Sequence, residues 1–382
     1  MKKLLIAAAA MTVVAGAQAQ SSVEVFGILD IGYGIQKDEN QNGTLNRKTT
    51  GLKDGALYGN RLGFRGTEDL GGGTSAKFWL EAGISPSTGS LLNERDAASG
   101  HVAASRTQQT TRQAWAGLAD QKLGEVRIGW QNTLTYDLTS QRHALSIYPE
   151  TRGGEGHNHV SVATRAAGAT YFSPLINNVE LAVQWAKATD ENATNVATYG
   201  GDVGYEANVL GLGATYKAGA LKAGVAYWKL KQTGTSPTPG ASTSPMGYST
   251  VTLSTFTTER DSHGTMLAAS YDFGAFTVAG NYGKGESQAS TTGAVSDKKQ
   301  YEIGVKVPVG KFDLIASYAK AETENAAGAK TADIKHKGVG AIYNLSKRTQ
   351  AYALYGTTSD SVPAATALSD TIGTRIGIAH KF

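Results

Sequence analysis

The residues able to do covalent chemistry are not arranged to do it. The chain has 382 residues, with 32 carboxylates, 7 histidines and no cysteine, so a disulfide scaffold and a thiolate metal site are excluded. No Gly-x-Ser-x-Gly places a nucleophile on a strained elbow. Gly304 and Gly310-Lys311 stand one residue too far apart for a phosphate-cradling loop, and Phe312 replaces the required Ser or Thr. His157 and His159 could present imidazoles to a metal, but no third ligand accompanies them. His380 lacks a serine partner, and Asn42-Gly43-Thr44 reads as a polar turn. Trp79 and Trp228 are too few and too scattered for a stacked aromatic track. The expectation is no enzyme: no catalytic residue, no metal and no cofactor.

The chain opens with Lys2-Lys3, an apolar stretch from Leu4 to Ala17, and Ala17-Gln18-Ala19 as a small-x-small cleavage site. Residues 1–19 therefore read as a signal peptide and 20–382 as the mature domain. Loss of Lys2 and Lys3 takes the formal charge from +4 to +2. That is too near neutral, and the basic residues too dispersed, to suggest nucleic acid. No later window approaches the apolar length of a membrane helix.

Alternation with period two runs through the rest. Val23, Val25, Gly27, Leu29, Ile31 and Tyr33 oppose Glu24, Phe26, Ile28 and Asp30. Ala76, Phe78, Leu80 and Ala82 oppose Lys77, Trp79 and Glu81, and Tyr301, Ile303, Val305 and Val307 oppose Glu302, Gly304 and Lys306. Ile376, Ile378, His380 and Phe382 oppose Arg375, Gly377, Ala379 and Lys381. Short turns at 68–73, 120–124, 173–178, 217–220, 273–275, 308–310 and 345–348 alternate with long polar stretches near 37–55, 87–107, 134–159, 190–203, 233–261, 288–297, 323–333 and 361–369. Seven turns and eight loops require sixteen strands. Turns on one side and loops on the other indicate an all-β, antiparallel transmembrane barrel. Closure pairs every backbone group, which lipid demands, and a barrel of about 16 strands leaves an aqueous lumen.

Several segments resemble the general porins of Gram-negative bacteria, especially the β-proteobacterial branch. Ser22–Asp30 is similar to their first strand, Asn60-Arg61-Leu62-Gly63-Phe64-Arg65-Gly66 to their second, and Thr67–Gly73 to the turn that follows. Tyr343–Thr349 resembles the turn before their fifteenth strand, and Ala379-His380-Lys381-Phe382 their closing strand. The resemblance implies an outer-membrane homotrimer passing ions and small hydrophilic solutes by passive diffusion. It implies contact with outer-membrane lipid, lipopolysaccharide and the barrel-assembly machinery, with Phe382 as the assembly signal. A solute-specific channel on the same barrel is the alternative.

The resemblance also implies a third loop folded inward to a constriction facing wall arginines. Here Pro149-Glu150 and Gly153-Gly154 match that loop, while Ser146 stands where an acid is common and Trp130 where an arginine is common. Arg61 and Arg112 match wall arginines, with Leu62/Phe64 and Trp115/Gly117 expected toward lipid. Arg165 stands at a third wall position, although its even spacing from Tyr171 puts the two on one face. Glu150 and Arg152 complete the expected constriction. Arginine keeps its charge at any relevant pH, and with acids thinned the expected preference is weakly for anions.

Overall fold

The computed structural model describes residues 22–40, 46–91, 111–142, 160, 165–190, 205–234, 260–288, 294–362 and 368–382. Sixteen antiparallel wall strands close into a barrel. They are β1 (Ser22–Asn40), β2 in two segments (Asn46–Asp54 and Arg61–Gly71), β3 (Thr74–Ser85), β4 (Thr111–Asp120), β5 (Gly124–Asn132), β6 (Arg165–Phe172), β7 (Val179–Asp190) and β8 (Tyr205–Ala218). There follow β9 (Leu221–Gly234), β10 (Arg260–Asp272), β11 (Thr277–Gln288), β12 (Val295–Val309), β13 (Phe312–Asn325), β14 (Lys330–Asn344), β15 (Thr349–Asp360) and β16 (Leu368–Lys381). The two segments of β2 lie end to end along β1, and the pair Ser90–Leu91 only folds back antiparallel on the end of β3. β16 returns to β1 from Ile28↔Lys381 to Asn40↔Leu368, so no edge is left open.

The alternation sorts side chains as the sequence predicts over most of the wall. Ile376, Leu80, Ile303, Leu181 and Trp185 point outward and are exposed in the isolated chain, Ile376 by 70%. Glu81, Glu302, Gln184, Gln300 and Arg375 point inward and are buried. The seven turns lie where expected. Two expected long loops are corrected: β1 and β2 pair up to Glu39↔Asn46, and β13 and β14 up to Glu324↔Lys330, so most of 37–55 and 323–333 is strand. Polar residues misled the reading there, because strands carried beyond lipid are wetted on both faces.

Between β5 and β6, helix α1 (Leu134–Arg142) lies inside the barrel against β8–β11. Leu134 and Leu138 bury themselves on inward-facing Ala182, Ala226, Met266 and Ala268. Gly224 permits this approach, since a Cβ there would stand 2.6 Å from Leu138 Cδ1. Val160 joins the same cluster, and its N–H donates to Gln300 Oε1 at 2.8 Å. The third loop is thus seated on one side of the lumen at both ends of its described portion.

Candidate functional site

The wall facing α1 carries the charge. Glu81 of β3 points into the lumen with its side chain only 1% exposed, and it is bracketed by two arginines. Arg112 Nε donates to Glu81 Oε1, while Arg61 Nη1 lies 3.5 Å from the same oxygen. Trp79 Nε1 donates to the other carboxylate oxygen at 3.1 Å. One buried carboxylate therefore serves two guanidiniums. Pairing offsets the carboxylate's desolvation, and counted over these three described residues the cluster carries one net positive charge.

Arg112 arrives by a route that period two does not allow. The β3–β4 ladder runs to Glu81↔Gln113 and resumes at Ala82↔Thr111, so Arg112 is the extra residue of a β-bulge. Below it, Trp115 stands opposite Trp79 and Gly117 opposite Lys77, both on the lumen face. The expected lipid placement of Trp115 and Gly117 is therefore wrong. Ala114, Ala116 and Leu118 take that face instead, with Leu118 exposed. A single added residue reverses the phase on its far side.

Trp115 belongs to a set of inward aromatic rings. Trp79 stacks on it at 6.3 Å, Phe26 meets Trp79 at 4.8 Å, and the Arg127 guanidinium lies 4.6 Å over its ring. The Arg65 guanidinium covers Phe26 and Trp79 at 5.1 and 5.2 Å. Glu125 is held by Lys77 at 2.8 Å and by Arg127.

Arg165 is buried on the lumen side despite its parity with Tyr171. It is the first residue of β6, where the ladder constrains a side chain least, and its guanidinium lies 5.4 Å over the Tyr136 ring of α1. It thus supports the third loop and is distant from the Arg61–Glu81–Arg112 cluster in strand order. Asp137 of α1 accepts from Asn132 Nδ2 at 2.7 Å, and burial pushes its carboxyl above the ordinary range. Glu150 and Arg152 lie outside the described residues.

Further up the same wall, Arg47 Nη2 pairs with Asp38 at 2.9 Å, and Arg375 Nη1 donates to the Asp54 carbonyl at 3.0 Å. Phe382 continues the closing ladder, exchanging backbone hydrogen bonds with Gly27 at 3.0 and 3.1 Å. Its ring covers Gly27, where a Cβ would come within 2.2 Å of Cζ.

Sequence reasoning identified Glu81 as a lumen residue and missed its role as shared counter-ion. The signal existed: the 68–73 turn sets the β2–β3 register and brings Arg61 beside Gly83, two residues from Glu81. The bulge at Arg112 had no sequence signal of its own.

Comparison with known proteins agrees with this architecture. The family model described as Gram-negative porin matches residues 7–362. An outer membrane porin protein of Bordetella pertussis is 25% identical over the full length of both chains. Outer membrane porin protein 32 of Delftia acidovorans is 29% identical, covering 93% of this chain and 88% of that protein. Among solved structures, the anion-selective porin from Comamonas acidovorans superposes with a TM-score of 0.66 at 22% identity, covering 95% of this chain and all of that one. The trimer form of OmpT from Vibrio cholerae gives 0.62 at 15% identity, covering 95% and 99%.

Proposed function

The chain belongs to the Gram-negative porin family and is an outer-membrane channel for passive diffusion, and on that footing we propose that its pore weakly prefers anions. The observation carrying this is that, among the described residues, one carboxylate, Glu81, is shared by Arg61 and Arg112. Along the neighbouring wall Arg47, Lys53 and Arg375 face Asp30, Asp38 and Asp54 in near balance, so the excess is small. Selectivity follows this local field and not the protein's net charge. The anion selectivity named for the Comamonas structure supports the same sign. The reversal potential across a bilayer in a KCl gradient tests it, and a clear cation preference would overturn it.

Glu150, Arg152 and Arg165 belong to the same proposal as parts of the third loop and its support. The working unit is a homotrimer in contact with lipid and lipopolysaccharide, in line with the trimer form of OmpT. Residues 1–19 are removed on export and Phe382 is read by the assembly machinery. A second reading, a solute-specific channel, is favoured by the aromatic rings of Phe26, Trp79 and Trp115 in the lumen. Saturable solute flux would select that reading, and flux linear in concentration would select simple diffusion.

A further inference from the structure

A water-filled barrel should present polar residues inward, yet two stretches of inner wall are apolar. One is the bed of α1 on β8–β11. The other is formed by Ile315, Ile342, Tyr352, Leu354 and Ala379 of β13–β16. This second patch also has a cover. Ala56 is buried among these residues, and Leu57 and Tyr58 pack against them.

The cover comes from the middle of β2. Asp54 stands opposite Ile31 and Arg61 opposite Ile28, so two residues would continue the ladder where six, Gly55–Asn60, are present. The segment leaves the wall at Gly55, whose φ of +56° suits glycine. It then lies across the inside of the barrel. The Tyr58 hydroxyl donates to Gln350 Oε1 at 2.9 Å, three strand positions away on β15. Lys381 of β16 sits 4.0 Å over the Tyr58 ring.

Asp30 locks the segment down. The N–H groups of Leu57 and Tyr58 donate to its Oδ2 at 2.6 and 2.8 Å, and the Tyr352 hydroxyl donates to Oδ1 at 2.6 Å. The Asp30 N–H donates in turn to Asn60 Oδ1. A carboxylate holding three donors is an expensive group to bury unless the geometry is fixed. At the segment's end, Arg61 Nε donates to the Gly59 carbonyl at 2.9 Å, so the segment also orients a pore-wall arginine.

In a ring of sixteen strands, β1 and β2, which anchor the segment, lie eight positions from β9 and β10, the main supports of α1. The bed on β13–β16 reaches part of the way round between them. We propose that Gly55–Asn60 is a second inward-folded constriction element, facing helix α1 across the lumen, and that the two together set the solute size limit. This rests on the reading of the barrel as a diffusion pore.

The test replaces Gly55–Asn60 with Thr-Val, which restores the ladder register. A companion variant, Tyr58→Ala, trims the segment and leaves its backbone in place. Conductance in 1 M KCl should rise about 1.5-fold in the replacement, because the narrowest section limits it. Proteoliposomes should also swell faster in raffinose with either variant. Wild-type conductance and an unchanged sugar cut-off would overturn the inference. Should the replacement not assemble, Tyr58→Ala decides alone, faster raffinose entry supporting the inference and an unchanged rate overturning it. A wild-type protein that does not conduct would instead overturn the pore reading. Wild-type conduction with unaltered variants defeats only the second constriction.

Discussion

Glu81→Gln should make the pore more anion-selective, by an amount that can be worked out. The substitution removes one negative charge from between Arg61 and Arg112 and keeps the size of the side chain. For an ion passing about 7 Å away, a unit charge in water is worth ~0.6 kcal/mol. At 0.1 M salt, with a Debye length of about 10 Å, screening roughly halves this to ~0.3 kcal/mol. That is a factor of about 1.7 for each ion, in opposite directions, so the chloride-to-potassium permeability ratio should rise about threefold. At 1 M, where the Debye length is about 3 Å, the change should shrink to about 1.2-fold. Replacing Arg61 and Arg112 together by Ser removes two positive charges, and the ratio should fall about sevenfold at 0.1 M. The assay is the zero-current potential in KCl gradients at both ionic strengths. A ratio that ignores Glu81→Gln, or that falls with it, would refute the placement of this cluster at the narrowest point.

Arginine at Leu80 or Ile303, both facing lipid, should cost about 2–4 kcal/mol in urea unfolding if near the bilayer midplane, whereas Lys306→Arg on the lumen face should cost little; equal costs would invalidate the assigned phase. Deleting Phe382 should lower the yield of assembled outer-membrane protein more than it lowers the melting temperature of refolded barrel, and Gly27→Val, which displaces the Phe382 ring, should lower that yield in the same way. A normal yield of the truncated chain would remove Phe382 as an assembly signal. Asp137 has its carboxyl raised by burial, so the stability linked to it is fully present below the unfolded value near 3.9 and is lost as pH rises through the folded value. Asp137→Asn should therefore stabilise α1 at neutral pH and flatten the melting profile in weakly acidic buffer; an unchanged profile would show that Asp137 is hydrated.

Most of the barrel was readable because period two is enforced by two unlike solvents. Leu80 and Glu81 have no alternative placement once one face meets lipid and the other water. The turns were readable because they need particular residues: Gly71, Gly72 and Gly73 all take positive φ. Loop ends were not, since Lys48 or Glu324 can sit on a strand beyond the membrane as readily as in a loop. Arg61 was placed correctly through its neighbours Leu62 and Phe64. Arg112 was assigned to the right face by the wrong reasoning, because Trp115 was taken as lipid-facing when the bulge puts both residues inside. The inward segment Gly55–Asn60 was missed because 56–59 fell between the expected loop at 37–55 and the strand expected from Asn60, with no pattern of their own.

Two of these departures from regular alternation meet at Glu81, and the third lies apart, at the helix inside the barrel. The bulge delivers Arg112 to Glu81, the six-residue excursion ends on Arg61, and the first residue of β6 turns Arg165 onto the helix inside the barrel. A continuous strand offers the lumen one side chain in two, at fixed spacing and height. A pore needs more charge than that at one level, and it needs backbone brought in from the wall. A bulge supplies the first, placing Arg112 and Gln113 both toward the interior. Inward segments supply the second, but only where the wall beneath them is apolar enough to hold them. Ile315, Ile342 and Leu354 on one side, and Ala226, Met266 and Ala268 on the other, are such beds. In this chain the apolar residues of the lumen phase therefore mark where the chain folds back against the inside of the wall, and local rules fail at the places where the wall is interrupted.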